Sequence, residues 1–220
     1  MLYQHRKKSQ NGQMPSDTPV DMVITWANMT DPVWQESYKK YVRKNPDWKR
    51  HLQCDELELS LASVTKYMPW LRTIYLITEC SVPLYVKRNP KVRVVHSNEI
   101  LGPDALTPTF NSNVIESYMH RLPGLSECFL WGNDDFFVGQ YISKSEWFKN
   151  GIPLVTFQRR WLNYPIRNFE WSIYNATKLA ASFNGEEAPP KPSLLAHQGW
   201  GGPVKSQTHQ ISILRKSGCQ

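Results

Sequence analysis

Cys128-Phe129-Leu130-Trp131-Gly132-Asn133-Asp134-Asp135 is the stretch on which the fold turns. Its four apolar residues in a row, followed by Gly and an Asn-Asp pair, read as a strand over 128–131 that runs directly into a polar loop. Working outward, 21–26 (Asp-Met-Val-Ile-Thr-Trp), 73–78 (Thr-Ile-Tyr-Leu-Ile-Thr), 91–95 (Lys-Val-Arg-Val-Val) and 154–157 (Leu-Val-Thr-Phe) are further strands. The first of these enters a loop of turn formers ending at Pro32. Helices fill the gaps: 32–44, a second beginning at Asp55 with Leu57, Leu61 and Val64 on one face and stopped by Pro69, and a third entered through 108–113. In the third, Ile115, Met119 and Leu122 form the apolar stripe, and Pro123-Gly124 ends it. Strands alternating with helices predict an α/β fold, a mainly parallel sheet flanked by helices. Such sheets bind ligands in the crevice at the carboxyl ends of their strands, and two of these strands end in Asp-containing loops.

With 220 residues, 40% apolar and 12% aromatic, the chain can close one hydrophobic core and is not intrinsically disordered. Residues 1–18 read as a polar tail, 19–220 as a single domain and 184–193 as a loop or linker within it. No run approaches the roughly 18–20 apolar residues that span a bilayer, and no apolar run follows the charged start, so neither a transmembrane segment nor a secretory signal is expected in this chain. The formal charge of +7 suits an anionic ligand, with His5, Arg6, Lys7 and Lys8 placed in the tail. Lys39, Lys40, Arg43 and Lys44 read as a solvated helix face, so no nucleic-acid partner is expected. Cys54, Cys80, Cys128 and Cys219 are too widely spaced for a zinc motif or a disulfide framework, and Cys80 and Cys128 read as small buried hydrophobes.

Asn133, Asp134 and Asp135 are the first chemical candidates. Adjacent carboxylates after an apolar strand repel unless a cation, hydrogen bonds or water compensate, and Mg²⁺ or Mn²⁺ needs only one or two protein carboxylates when it also bridges substrate phosphates. The same residues are also turn formers. Glu116 shares a helix face with Ser112 and His120, so it is either a site acid or half of an ordinary helical pair with His120. Asn111, Ser112 or Asn113 could cap that helix, and free N–H groups there also attract phosphate. Asp21 opens a strand, where a charge needs a partner or solvent. His197 stands beside a Gly-rich loop and is a candidate general base or a structural imidazole. Asn28-Met29-Thr30 and Asn175-Ala176-Thr177 match a glycosylation sequon that arises often by chance.

Taken together, 21–32, 55–78 and 108–139 strongly resemble the Stealth family. The blocks that carry the likeness include Asp-Met-Val-Ile-Thr-Trp-Ala-Asn-Met-Thr-Asp-Pro, Asp-Glu-Leu-Glu-Leu-Ser-Leu, Pro-Thr-Phe-Asn-Ser-Asn-Val-Ile-Glu-Ser and Gly-Asn-Asp-Asp-Phe-Phe-Val-Gly. That family includes bacterial capsular-polysaccharide phosphotransferases and the catalytic subunit of the lysosomal-enzyme N-acetylglucosamine-1-phosphotransferase. The resemblance implies a nucleotide-diphospho-sugar-transferase-like, Rossmann-like sandwich. It also implies transfer of a sugar 1-phosphate, typically N-acetylhexosamine 1-phosphate, from a UDP-sugar to a glycan hydroxyl with release of UMP, aided by Mg²⁺ or Mn²⁺. By motif it makes Asp135, with Asp134 beside it, a metal ligand and places Asp21, Glu116 and His197 among the catalytic residues; either His197 or Asp21 could take the hydroxyl proton, with His197 favoured as base and Asp21 as orienter. Trp26, Asn28, Asp31, Asn111, Ser112 and Asn133 become substrate-binding candidates. Arg159, Arg160 and Arg167 are spare phosphate contacts or solvated surface.

Three departures shape the expectations. Gln53, Cys54 and Glu58 stand where the family begins its helix with Asp-Asn and carries an Arg after Glu-Leu. Met29 stands at a loop position where the family has Gly, which predicts a backbone that favours Gly. The Arg-bearing helical region and fourth block that follow the family's third-block His are not found before Gln220, which predicts a fragment, a completing segment or subunit, or a catalytically silent protein. The expected partners are a nucleotide-sugar donor and a polysaccharide or glycoprotein glycan acceptor. The expected compartment is the cytoplasm for a bacterial protein, or a secretory lumen for a eukaryotic one targeted from outside this chain. Rival readings are a glycosyltransferase that releases nucleoside diphosphate, and a silent binder of a nucleotide sugar or partner.

Overall fold

The computed structural model describes residues 17–42, 54–102, 107–149, 152–154, 158–160, 204–206 and 211–215, with single positions between 171 and 185. Two compact units are formed, one from 13–154 with 210–220 and the other from 1–12 with 155–209.

The first unit is built on strands β1 (Val20–Thr25), β2 (Ile74–Ile77), β3 (Val92–Val95) and β4 (Cys128–Asn133), all parallel. Strand β9 (Ile211–Arg215) pairs antiparallel to β4, giving the order β3-β2-β1-β4-β9. Helices α1 (Pro32–Tyr41) and α2 (Glu56–Tyr67) connect β1 to β2, α3 (Leu84–Arg88) connects β2 to β3, and α4 (Ser112–Tyr118) lies between β3 and β4. The chain adds strands outward from β1 to β3, then returns to the other side of β1 to lay down β4. The strand order therefore reverses between β1 and β4, the place where open α/β sheets hold ligands.

Both sheet faces are covered, which is why β1 and β2 read as near-continuous apolar runs. On one face Met22, Ile24, Ile74, Leu76 and Leu130 pack against Trp34 of α1 and Leu57, Leu61 and Val64 of α2. On the other, Val23, Tyr75, Ile77, Val95 and Phe129 pack against Met119, Leu122 and Leu125. Strand alternation sends Asn133 toward this second face, with Phe129 and Trp131. Cys80 and Cys128 are buried, as expected.

The helix expected from 113 to 122 is shorter: α4 ends at Tyr118 and tightens into a 3₁₀ turn, Met119–Arg121. Leu154 lies outside any strand and 155–157 lie outside the described residues, while a short hairpin of β5 (Phe148–Lys149) and β6 (Ile152–Pro153) precedes them. Met29 corrects the Gly expectation. It is fully buried in the core, and among the described non-Gly residues only Asp55 has a positive φ, 61°. The larger side chain thus fills core space instead of straining the backbone.

In the second unit, β7 (Gln158–Arg160) pairs antiparallel with β8 (Val204–Ser206), and Trp171 meets Tyr174 edge-on at 5.8 Å between ring centroids. Among the described residues no helix is long and apolar enough to cross a membrane.

Candidate functional site

The carboxyl ends of β1 and β4 lie side by side, with Thr25 in register with Asn133. The loop leaving β1 carries Trp26, Asn28 and Asp31, and the loop leaving β4 carries Asp134 and Asp135.

The first loop is tightly made. Asn28 Oδ1 accepts the Thr30 backbone N–H at 2.9 Å and its hydroxyl at 2.7 Å, closing an Asx turn. The Asn28 N–H donates to Cys80 Sγ at 3.1 Å, which ties this loop to the one after β2. Asp31 caps α1: one carboxylate oxygen accepts Val33 N–H at 2.7 Å and Trp34 N–H at 3.4 Å, and the other accepts Ser81 N–H at 2.6 Å. Burial pushes this carboxyl up, but the Ser81, Val33 and Trp34 N–H groups outweigh it, and the net pKa falls below the ordinary Asp value. Asp31 is 6% exposed and Trp26 is 7% exposed with its ring in the core. In this structure both side chains are turned away from solvent. Asn28 stays half-buried at the rim.

The second loop is electrostatically unsatisfied. Asp134 is half-buried and its carboxyl is pushed up to about 6, first by burial and further by the charges of Asp135 and Glu56, against partial relief from backbone N–H groups. Asp135 and Asn133 are exposed. Glu56 escaped the sequence reading. It opens α2, and a helix returning from β1 to β2 must start at the carboxyl edge, so topology could have found it. The N-cap of α2, Asp55, makes no side-chain capping bond. Among the described residues no group of three or more His, Cys, Asp or Glu could by itself hold a metal. Asp134 and Asp135 nevertheless fit a divalent ion: a carboxylate kept partly out of water beside two others is what a cation offsets, and Mg²⁺ or Mn²⁺ takes its remaining ligands from phosphates and water.

A third element reaches this edge through aromatic packing. Phe110 lies edge-on to Trp34 at 5.6 Å and to Tyr38 at 5.0 Å, and these two rings stack on each other at 4.6 Å. That anchors the segment before α4 to α1. Asn111 is the helix cap among the three candidates, its Oδ1 accepting Asn113 N–H at 3.1 Å. Glu116 pairs with Ser112, and burial raises its carboxyl above the ordinary Glu value despite that hydrogen bond. No Glu116–His120 ion pair forms among the described residues, because the 3₁₀ turn takes His120 off the α-helical spacing.

Asp21 is not part of this gathering. It sits at the amino end of β1, fully buried, opposite Phe129 in β4. At about 3.3 Å per residue the carboxyl-edge acids lie roughly 16 Å away along the strand. Its carboxylate is saturated by Arg72 through two guanidinium nitrogens, by Thr73 N–H at 3.1 Å and by Ser126 N–H at 2.7 Å. At this end of the sheet Asp21 makes structural bonds that tie β1 to the entries of β2 and β4. His197 and Arg167 lie outside the described residues, and Arg159 and Arg160 are described only as backbone of β7 in the other unit. A pairing the sequence did not suggest joins the ends of β2 and β3: His96 Nδ1 stands 3.7 Å from Glu79 Oε2, and Glu79 also accepts from Ser97.

Residues 50–154 match the family model for Stealth protein conserved region 2. The chain is 38% identical over 161 residues to the capsular polysaccharide phosphotransferase LcbA of Aeromonas hydrophila, covering 69% of this chain and 44% of the relative. It is 36% identical over 161 residues to the capsular polysaccharide phosphotransferase fcs1 of Haemophilus influenzae, 68% and 43% respectively. Against the exopolysaccharide phosphotransferase SCO6023 of Streptomyces coelicolor the figures are 35% over 152 residues, 66% and 26%. The chain thus spans less than half the length of these relatives. The α/β sheet, with its acid pair after β4 and its matched conserved region, belongs to a member of the Stealth family.

Proposed function

We propose that the chain supplies the donor-binding edge of a transferase that moves a sugar 1-phosphate, N-acetylhexosamine 1-phosphate in the first instance, from a UDP-sugar to a glycan hydroxyl. The observation that carries the reading is the pair Asp134–Asp135 at the strand-order reversal, with the Asp134 carboxyl raised to about 6 by burial and neighbouring charge. In the reaction the acceptor oxygen forms a bond to the phosphorus that bears the sugar. The bond from that phosphorus to the bridging oxygen breaks, UMP leaves, and the hydroxyl proton passes to a base. Catalysis of this kind consists mainly of placing the hydroxyl in line and neutralising the diphosphate.

Asp134 and Asp135 would hold Mg²⁺ or Mn²⁺, which when bound supplies charge neutralisation on the phosphates. Asn133, Asn28 and the exposed Asn111 and Ser112 offer neutral hydrogen-bonding groups for the donor. Glu116, its pKa raised by burial, and His197, proposed from its motif alone, are the proton-acceptor candidates. The capsular and exopolysaccharide relatives support a glycan acceptor.

The test incubates the full chain with UDP-N-acetylglucosamine, Mn²⁺ and a glycan acceptor and separates the nucleotides formed. UMP with a phosphodiester product is expected, and UDP as the product would overturn the reading in favour of a glycosyltransferase. Asp135→Ala should abolish turnover, and Asp134→Asn should remove the rise in Tm that Mn²⁺ produces while raising the metal-free Tm, since a buried repulsive charge is gone. Nucleotide-sugar binding with no turnover in the unaltered chain would leave a silent binder.

A further inference from the structure

Past the acid pair the chain keeps an alternation that neither the core nor the proposed transfer site uses. Phe136, Val138 and Ile142 turn inward to the core, whereas Phe137 is 48% and Tyr141 61% exposed. The segment is fixed against α2 rather than loose. Val138 N–H donates to Ser63 Oγ at 3.0 Å, Ile142 N–H to Tyr67 O at 3.1 Å, and Trp70 Nε1 to Ile142 O at 2.6 Å. These three bonds hold the backbone on either side of the two rings. Leu59, one turn before Ser63 on α2, is 59% exposed and continues the ridge toward the helix start.

The pins also set the spacing. Ser63 and Tyr67 lie about 10 Å and about 16 Å along the helix from Glu56, at 1.5 Å per residue. Glu56 opens α2, and Asp134 and Asp135 precede Phe137 by three and two residues. Val138 and Ile142 are thus held about 6 Å apart along α2, and Phe137 and Tyr141, each the residue before a pinned one, mark two steps of a track that leads away from the acids. That step is of the order of one pyranose unit. A pyranose offers a face of C–H groups with hydroxyls around its rim, which matches an aromatic ring standing in water beside polar Gln140 and the backbone of Gly139.

We propose that Phe137 and Tyr141 form an acceptor track, on which the sugars behind the reacting end of a glycan chain stack while its terminal hydroxyl lies at Asp134–Asp135. The proposal rests on the transferase reading for the identity of the occupant. It predicts that the protein measures chain length: a monosaccharide reaches the acids but not the rings, whereas an oligosaccharide of four or more units reaches both.

The test titrates the full chain with N-acetylglucosamine oligomers of one, two, four and six units by calorimetry, with UMP release from UDP-N-acetylglucosamine followed in parallel. Affinity is expected to rise with length up to about four units. Phe137→Ala and Tyr141→Ala should each weaken the longer oligomers by roughly three- to tenfold and leave the monosaccharide unchanged. Tyr141→Trp should restore binding, and Tyr41→Ala, an exposed aromatic on α1 off the track, should change nothing. Because the rings are exposed, Tm should be unaltered in each variant. Absence of oligomer binding, binding independent of length, or equal losses in Tyr41→Ala would overturn the proposal. So would a concentration-dependent dimer lost in the Phe137→Ala, Tyr141→Ala double variant, since a second copy would then be the occupant. Length-dependent binding without UMP release would leave the track standing and remove the transferase reading.

Discussion

Replacing Asp21 separates a structural from a catalytic role more sharply than any other single change. In Asp21→Ala the Arg72 guanidinium is 45% exposed and recovers water, so its own loss is small. The Thr73 and Ser126 N–H groups are different: both pointed at the buried carboxylate, and each left unpaired costs about 1–3 kcal/mol. The sum is about 2–6 kcal/mol, which brackets the ~3–5 kcal/mol for removing one partner of a buried ion pair, against a total stability of about 5–15 kcal/mol for a domain. Asp21→Asn keeps one carbonyl oxygen for Thr73 or Ser126 and should cost about half as much. Equilibrium urea denaturation of the unaltered chain and both variants measures this, read as a shift of midpoint at unchanged slope. Turnover per folded molecule should be largely retained in Asp21→Asn at low temperature. A loss below 1 kcal/mol in Asp21→Ala together with abolished turnover would refute the structural assignment and return Asp21 to the chemistry.

Two further outcomes follow from the loops. Asp31 has a lowered pKa in the folded chain, so its stabilisation is present above the unfolded value near 3.9 and is lost as pH falls through the lower folded value; Asp31→Asn should flatten the decline of stability below about pH 4, measured by denaturation across pH. Phe110→Ala removes two edge-on aromatic contacts from a half-buried ring and should cost about 2 kcal/mol, with a rise in KM for the nucleotide sugar because Asn111 and Ser112 lose their anchor on α1.

The sheet was legible because its strands carry their burial in the sequence. A parallel strand covered on both faces has no polar alternation to hide it, and 21–26, 73–78 and 128–131 fell within one or two residues of β1, β2 and β4. The acid pair was legible for the same reason, since polar residues directly after such a strand must sit at the sheet's edge. What sequence could not show was which acids are already partnered. Asp21, Asp31 and Asp134 look alike as carboxylates beside apolar runs, yet Arg72 is 51 residues from Asp21 and Ser81 is 50 from Asp31. Those partners are local only after folding. Glu56 was overlooked because helix-start acids are ordinary, and its closeness to Asp134 is a product of strand order rather than of spacing. At Met29 a family preference for Gly is no demand of the backbone, because the position accepts a side chain that the core can use.

The two ends of the β1–β4 pair are organised in opposite ways, and each needs the other. At the amino end Asp21 joins β1 to Arg72 and Thr73 at the entry to β2 and to Ser126 at the entry to β4, while Arg72 also reaches Gly124 O at 2.7 Å. Three strands are thereby started in fixed register. Because side chains alternate faces, a slip of one residue between β1 and β4 would exchange the faces of Asn133 and Gly132 and carry Asp134 away from Glu56 and α2. At the carboxyl end Asp31 and Asn28 tie the β1 loop to the β2 loop, whereas Asn133 and Asp135 after β4 are exposed and Asp134 lies beside like charges. A saturated buried carboxylate at one end therefore holds in place the unsaturated carboxylates at the other, about 16 Å away. The bonds at the polar start of β1 thus set the register on which the geometry of the opposite edge depends.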